Sequence, residues 1–144
     1  MQRDPRWLTL AVMLATGLLV AACARPAAPA AKTKPAVAEN IAGSNLKLVI
    51  LTEEAAKRID LRTELIRIEG DTRVMPYDAI VYDKSGTTWA YTPADRPLTY
   101  VRQSIEVDSV QGKVVHLKNG PAPGTPVVTV GVAELFGVEY GFQK

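Results

Sequence analysis

The sequence predicts a mainly β domain, folded as a small antiparallel barrel or sandwich, in the last two thirds of this 144-residue chain. From residue 46 onward, short β-rich segments alternate with turn residues such as Gly, Asn and Pro. Strands of this length and spacing are typical of small antiparallel barrels and sandwiches. About 99 residues remain for this domain, which is enough to bury one hydrophobic core.

The predicted domain begins with a strand and one short helix. Residues 46–51 are apolar and β-rich, and Thr52 follows as a hydroxyl N-cap. Two acidic residues in the first turn and two basic residues in the last turn complement the helix dipole. They are Glu53, Glu54, Lys57 and Arg58. Residues 62–69 then alternate as a half-buried strand would.

A hairpin and several short strands make up the rest of the predicted domain. Residues 79–82 and 87–92 are its two strands, and the loop between them ends at Gly86. Pro93 and Pro97 interrupt the pattern and indicate a loop at a sheet edge. Further strands are predicted at residues 98–110, 114–117 and 127–130, and one terminal helical turn at 131–137.

The first 22 residues have the three parts of a secretory signal. Two arginines precede an apolar run at residues 7–20, which is shorter than the roughly 20 residues that span a bilayer as a helix. Small Ala21 and Ala22 come directly before Cys23, the only cysteine. This arrangement resembles the lipobox of bacterial lipoproteins, so we expect cleavage before Cys23 and lipidation of that residue. The simpler alternative is an ordinary secretory signal with a chance cysteine.

Residues 23–45 are predicted to be the lipidated cysteine followed by a disordered tether rich in Pro and Ala. We expect an extracytoplasmic location, with lipid holding the chain to a bacterial membrane. This would be the outer membrane facing the periplasm or, in a one-membrane bacterium, the outer face of the cell membrane. Removal of the signal leaves a charge of about +1, which offers no basic face for nucleic acid.

The region from 46 to 142 resembles the membrane-proximal part of periplasmic adaptor subunits, or membrane fusion proteins, of resistance-nodulation-division efflux pumps. The matching residues are 51–55, Ile59, Leu61, Pro76, 79–82, Gly86, Trp89, Tyr91, Val101, Arg102, Gly120, Gly124, Val127, Val128, Gly131, Glu134, Leu135 and Gly137. The resemblance implies a permuted SH3-like barrel in the C-terminal part. It also implies contact with a transporter or another adaptor.

Complete adaptors also carry lipoyl-like halves and a long helical hairpin. Here only residues 70–73 separate Glu69 from Val74, and no heptad pattern follows the signal. The resemblance therefore implies a reduced or accessory adaptor for transmembrane transport, with only the membrane-proximal role.

The candidate interaction surface comprises Trp89, Tyr91, Asp83, Lys84, Glu134 and Phe136. Aromatic residues often anchor interfaces, but in a domain this small Trp89, Tyr91 and the neighbouring tyrosines more often fill the core. Alternation places Trp89 and Tyr91 on one face of their strand, and Thr88 and Ala90 on the other.

Enzyme and metal chemistry find little support in the sequence. His116 is a lone histidine in a strand, and no Gly-x-Ser-x-Gly elbow or phosphate loop occurs. An oxygen-rich site from Asp71, Asp78, Asp83 and Asp108 fits no recognised cation loop. We therefore expect a binding or scaffold module without catalytic residues, metal or cofactor. The alternative is a stand-alone envelope lipoprotein that binds a small ligand or metal ion as a carrier or sensor.

Overall fold

The structure is a computed structural model, and it describes residues 34–142. This part of the chain contains eleven β-strands and two α-helices, and every strand pair is antiparallel. The predicted mainly β, antiparallel fold is confirmed. The strands form three sheets, and within the described residues no sheet closes into a barrel.

The strands are short and follow one another closely along the chain. In chain order they are β1 (Ala36–Asn40), β2 (Lys47–Leu51), β3 (Arg62–Leu65), β4 (Arg67–Glu69), β5 (Thr72–Pro76), β6 (Val81–Tyr82), β7 (Thr88–Pro93), β8 (Thr99–Ser104), β9 (Glu106–Gln111), β10 (Val114–Asn119) and β11 (Pro126–Val130). The helices are α1 (Glu53–Arg58) and α2 (Val132–Tyr140), with a short 3-10 helix at Tyr77–Ala79.

The largest sheet has five strands in the order β1-β2-β8-β7-β6. A four-stranded sheet has the order β4-β5-β10-β9, and β11 pairs with β3 in a third sheet. Strand β7 contributes to two hydrophobic clusters at once. Tyr91 packs with Leu135 and Val138 of α2, whereas Ala90 belongs to a cluster with Ile66 and Val115. The predicted alternation along this strand is confirmed.

Strand β1 corrects the predicted extent of the tether. Residues 36–40 fall inside the segment expected to be disordered, yet they pair with β2 from Ala36 opposite Leu51 to Asn40 opposite Lys47. The Thr52 N–H also donates to the Pro35 carbonyl at 3.0 Å. The alanine side chains of this strand are small and bury little apolar area. Its backbone hydrogen bonds with β2 therefore provide the stabilisation that its side chains do not. Residues 1–33, including Cys23, lie outside the described part.

Helix α1 confirms the predicted cap. The Thr52 Oγ1 accepts a hydrogen bond from the Ala55 N–H at 3.1 Å, as an N-cap hydroxyl should. Helix α2, in contrast, is longer than the expected single turn and continues through Gly137 to Tyr140. A helical glycine costs about 1 kcal/mol relative to alanine, and burial of Leu135 and Val138 offsets that cost.

Two predicted strands are each divided in the structure. The segment 62–69 separates at Ile66 into β3 and β4, and the segment 98–110 separates at Ile105 into β8 and β9. Both isoleucines are buried, and at each of them the chain leaves one sheet and enters another. The apolar alternation changes phase at the first point, where Leu65 and Ile66 are adjacent, and becomes regular at the second only from Ile105 onward. Neither change indicates which sheet receives the next strand. The hairpin of β6 and β7 has the predicted pairing, with Val81 opposite Trp89.

Candidate functional site

The six residues of the candidate interaction surface do not lie on one surface. Asp83, Lys84 and Trp89 belong to the β6–β7 hairpin, whereas Glu134 and Phe136 lie on α2. Tyr91 is fully buried, so its assignment to an interaction surface is wrong. It lies in the middle of β7 with its side chain in the core against α2, where it is closed off from a partner.

Asp83 organises the tip of the hairpin instead of presenting a free carboxylate. Its Oδ1 accepts from the backbone N–H groups of Ser85 and Thr87 at 2.9 and 3.0 Å, and from the Ser85 hydroxyl at 2.6 Å. Its Oδ2 accepts from the Trp89 indole at 2.9 Å. These bonds, led by those from Ser85 and Trp89, lower the pKa of Asp83 to about 2. Lys84 is exposed beside it.

A buried polar cluster joins α2 to the five-stranded sheet. Arg102 and Tyr91 are opposite each other on β8 and β7, and Glu139 of α2 contacts both. The Arg102 Nε lies 2.9 Å from Glu139 Oε1, and the Tyr91 hydroxyl donates to Oε2 at 2.5 Å. Lys47 of β2 donates to the Glu139 carbonyl at 2.9 Å. Burial and the contact with Glu139 raise the pKa of Tyr91 well above its usual range.

Two aromatic rings accompany the Arg102 guanidinium. Its Cζ lies 4.4 Å from the centre of the Trp89 ring and 5.3 Å from that of Tyr140, which are cation–π distances. The Nε–H does not point along its ion-pair contact, and neither Nε nor Nη1 has a hydrogen-bond partner within residues 34–142. The guanidinium is thus held by its ion pair with Glu139 and by the two aromatic rings, and its Nε and Nη1 donors have no acceptor in the described residues.

Sequence reasoning missed the role of Glu139, although one signal was present. Glu139 follows Leu135 by four residues, so both side chains lie on the same face of a helix that contains them. A carboxylate on the apolar face of a helix indicates a buried partner of opposite charge. Arg102 is one of the residues that carry the family resemblance, and no local sequence pattern links it with Glu139.

A mostly apolar groove runs beside the two helices. It has a volume of about 300 Å³ and is called the helix groove below. Its walls come from β1, β2, α1, α2 and single residues next to them, and they include Leu51, Ala55, Ile59, Val138 and Phe142. Arg58 and Glu134 are its charged lining residues, and neither forms an ion pair with another described residue. Phe142 is 63% exposed.

The candidate metal residues are dispersed. Among residues 34–142, no three His, Cys, Asp or Glu side chains are grouped as a metal site would require. His116 is half-buried on β10, opposite Val74 and Ser109. Asp108 lies 3.9 Å from the Lys118 ammonium group.

Neither helix in the described part of the chain has the length and apolar content needed to cross a bilayer. Searches against protein-family models, curated proteins and solved structures find no match to this chain.

Proposed function

We propose that this chain is a lipid-anchored, extracytoplasmic docking module that contacts a transporter or an adaptor subunit of a bacterial envelope complex. Its attachment is assigned to Cys23, on the strength of the signal-like segment and the small residues before that cysteine. Its folded part is the small antiparallel β domain that follows. The module positions itself at the membrane surface and offers the helix groove to its partner.

The helix groove is the observation that supports docking most strongly. Leu51, Ala55 and Val138 give it an apolar floor, and Phe142 exposes most of its ring at one side. Apolar surfaces edged by polar residues serve protein contacts, membrane contacts or ligand binding, and we assign this one to a protein partner. A groove of about 300 Å³ accommodates one or two apolar side chains of a partner segment.

The charges at the groove indicate the chemistry of the occupant. Arg58 extends from α1 and Glu134 from α2, and both are exposed and free of ion pairs in the described structure. A partner segment with an apolar side chain between an acidic and a basic residue would complement both. Charges placed in this way favour one orientation of the partner over the reverse.

We also propose that the domain is related to the membrane-proximal, permuted SH3-like region of efflux adaptors. The order and spacing of the glycines, valines and aromatics from Pro76 to Gly137 support this relationship. The short connection between Glu69 and Val74, which β4 and β5 form as a tight hairpin, leaves no place there for a helical hairpin. The module would therefore act beside a complete adaptor or directly on a transporter.

Affinity isolation from detergent-solubilised membranes tests this function. The full chain should recover a transporter or adaptor subunit, and Arg58→Glu should reduce that recovery strongly. The matched control is Lys57→Glu, since Lys57 is also exposed in the last turn of α1 but does not line the groove. Failure of the unmodified chain to recover either class of partner, or equal loss in both variants, would contradict the proposal.

A further inference from the structure

The chain contains three asparagines, all of them exposed, and they differ in the backbone N–H that follows each one. The Ile41 N–H, which follows Asn40, donates to the Leu46 carbonyl at 3.2 Å. The Leu46 N–H, which follows Asn45, donates to the Ser44 hydroxyl at 3.0 Å. At both positions the following N–H is therefore engaged with a group other than the asparagine side chain.

The third asparagine, Asn119, is the last residue of β10 and has a different arrangement. The N–H of Gly120 donates to the Oδ1 of Asn119 itself at 2.9 Å. The Gly120 nitrogen therefore lies close to the carboxamide carbon that carries this oxygen, and such proximity favours a reaction between the two atoms. Glycine also has no side chain to obstruct an attack by its nitrogen.

Arg73 holds Gly120 in this position. Its Nη1 donates to the Gly120 carbonyl at 2.6 Å and to the Pro121 carbonyl at 3.4 Å. Arg73 forms no ion pair within residues 34–142, so no carboxylate there neutralises its charge. A positive charge beside Gly120 favours negative charge that develops on the neighbouring nitrogen. A depression of about 500 Å³, lined in part by Asn119 and Gly120, opens to solvent and admits water.

We propose that Asn119 is a site of spontaneous deamidation, a covalent modification that requires no docking partner. The Gly120 nitrogen gives its proton to water or hydroxide and attacks the Asn119 Cγ, which closes a cyclic imide. The bond between Cγ and Nδ2 breaks, and Nδ2 takes a proton from water and leaves as ammonia. Water then opens the imide. Attack at Cγ gives aspartate, and attack at the backbone carbonyl carbon gives isoaspartate. The net change replaces NH₂ by OH, which ionises to a carboxylate.

The product places a new negative charge in the four-stranded sheet. Asn119 lies opposite Glu106 of β9, an exposed residue that forms no ion pair in the described part of the chain. Like charges directly opposite each other on two strands are destabilising. Strand β9 is at the edge of its sheet and pairs with β10 alone among the described strands. Deamidation should therefore allow β9 to open more often.

Peptide mapping by mass spectrometry tests the site after incubation of the purified full chain at mildly alkaline pH. Circular dichroism establishes that the chain stays folded during the incubation. We expect conversion at Asn119 to be at least about tenfold faster than at Asn40 or Asn45, which are internal controls in the same molecule. Both aspartate and isoaspartate should form, since the imide opens in two directions. Conversion at Asn119 no faster than at the other two, or aspartate without isoaspartate, would overturn the proposal.

Variants isolate the effect of the new charge. In Asn119→Asp, hydrogen exchange of the β9 amide groups should rise by roughly two- to fivefold, and Glu106→Gln in the same chain should reverse the rise. Asn40→Asp is the matched control, because its carboxylate would lie opposite Lys47 and should not raise exchange in β1. Unchanged β9 exchange in Asn119→Asp, or a rise that Glu106→Gln leaves in place, would contradict the proposed consequence.

Discussion

Glu139 of α2 and Arg102 of β8 form a buried ion pair, with 2.9 Å between Oε1 and Nε and only 3% and 9% of their side chains exposed. The Tyr91 hydroxyl donates to the second carboxylate oxygen. Because the three residues come from α2, β8 and β7, the pair fastens the terminal helix to the largest sheet. Helix α2 also forms one side of the helix groove. The cluster therefore holds that side of the proposed docking surface in position.

Removal of one partner of this pair should destabilise the domain strongly. Glu139→Ala leaves Arg102 as an uncompensated buried charge, and we expect a loss of about 3–5 kcal/mol in the free energy of unfolding by urea denaturation. Arg96→Ala is the control, since it breaks an exposed pair with Glu39 that is worth at most about 1 kcal/mol. Comparable losses in the two variants would show that the buried pair has no special role.

Acid should release the hairpin tip around Asp83. The folded pKa of about 2 lies below the usual value near 3.9, so the carboxylate stabilises the folded state fully above that usual value. This contribution is lost as the pH falls from about 4 toward 2. The Trp89 indole N–H resonance should shift over that range. In Asp83→Asn the same resonance should be insensitive to pH there, and a persistent shift would assign the titration to another group.

Two glycines of the terminal helix region should respond oppositely to alanine. Gly131 has a φ of +93°, and a Cβ there would lie 2.9 Å from the Ile59 Cδ1, so Gly131→Ala should lower the free energy of unfolding by about 1–3 kcal/mol. Gly137 lies inside α2 with nothing within 4 Å of an added Cβ. Gly137→Ala should therefore raise stability by about 0.5–1 kcal/mol. Thermal or urea unfolding distinguishes these signs, and two losses of equal size would contradict this reading.

Lipid attachment at Cys23 predicts a change of cellular fraction. Cys23→Ser removes the sulfur that the lipid requires, so the folded domain should leave the membrane fraction and appear in the soluble extracytoplasmic fraction. Ala24→Ser is the control, because it changes the adjacent residue and keeps the cysteine. A Cys23→Ser protein that has lost residues 1–22 and still remains with membranes in the absence of detergent would rule out anchoring through this residue.

Local signals predicted the local parts of this fold. The Thr52 cap and the β6–β7 hairpin depend on residues within a few positions of each other, and both have the expected hydrogen bonds or pairing. Their determinants are side chains close in sequence, which a pattern can display.

Long-range pairing could not be predicted in the same way. Strand β1 depends on the backbone of β2, and the divisions at Ile66 and Ile105 depend on which sheet accepts the next segment. Glu139 and Arg102 are separated along the chain by three complete strands, β9 to β11, and most of α2. Lys84 and Glu134 of the candidate surface are exposed, whereas Tyr91 is buried because α2 packs against it.

Cross-linking from the helix groove tests the docking function most directly. A photoreactive phenylalanine derivative at position 142, where the native ring is 63% exposed, would be activated in intact cells, with position 77 as a control on an exposed aromatic residue that does not line the groove. We predict that position 142 yields a covalent adduct with a transporter or adaptor subunit, which position 77 does not form. Adducts with neither class of protein at position 142, or the same adducts at both positions, would contradict the proposed function.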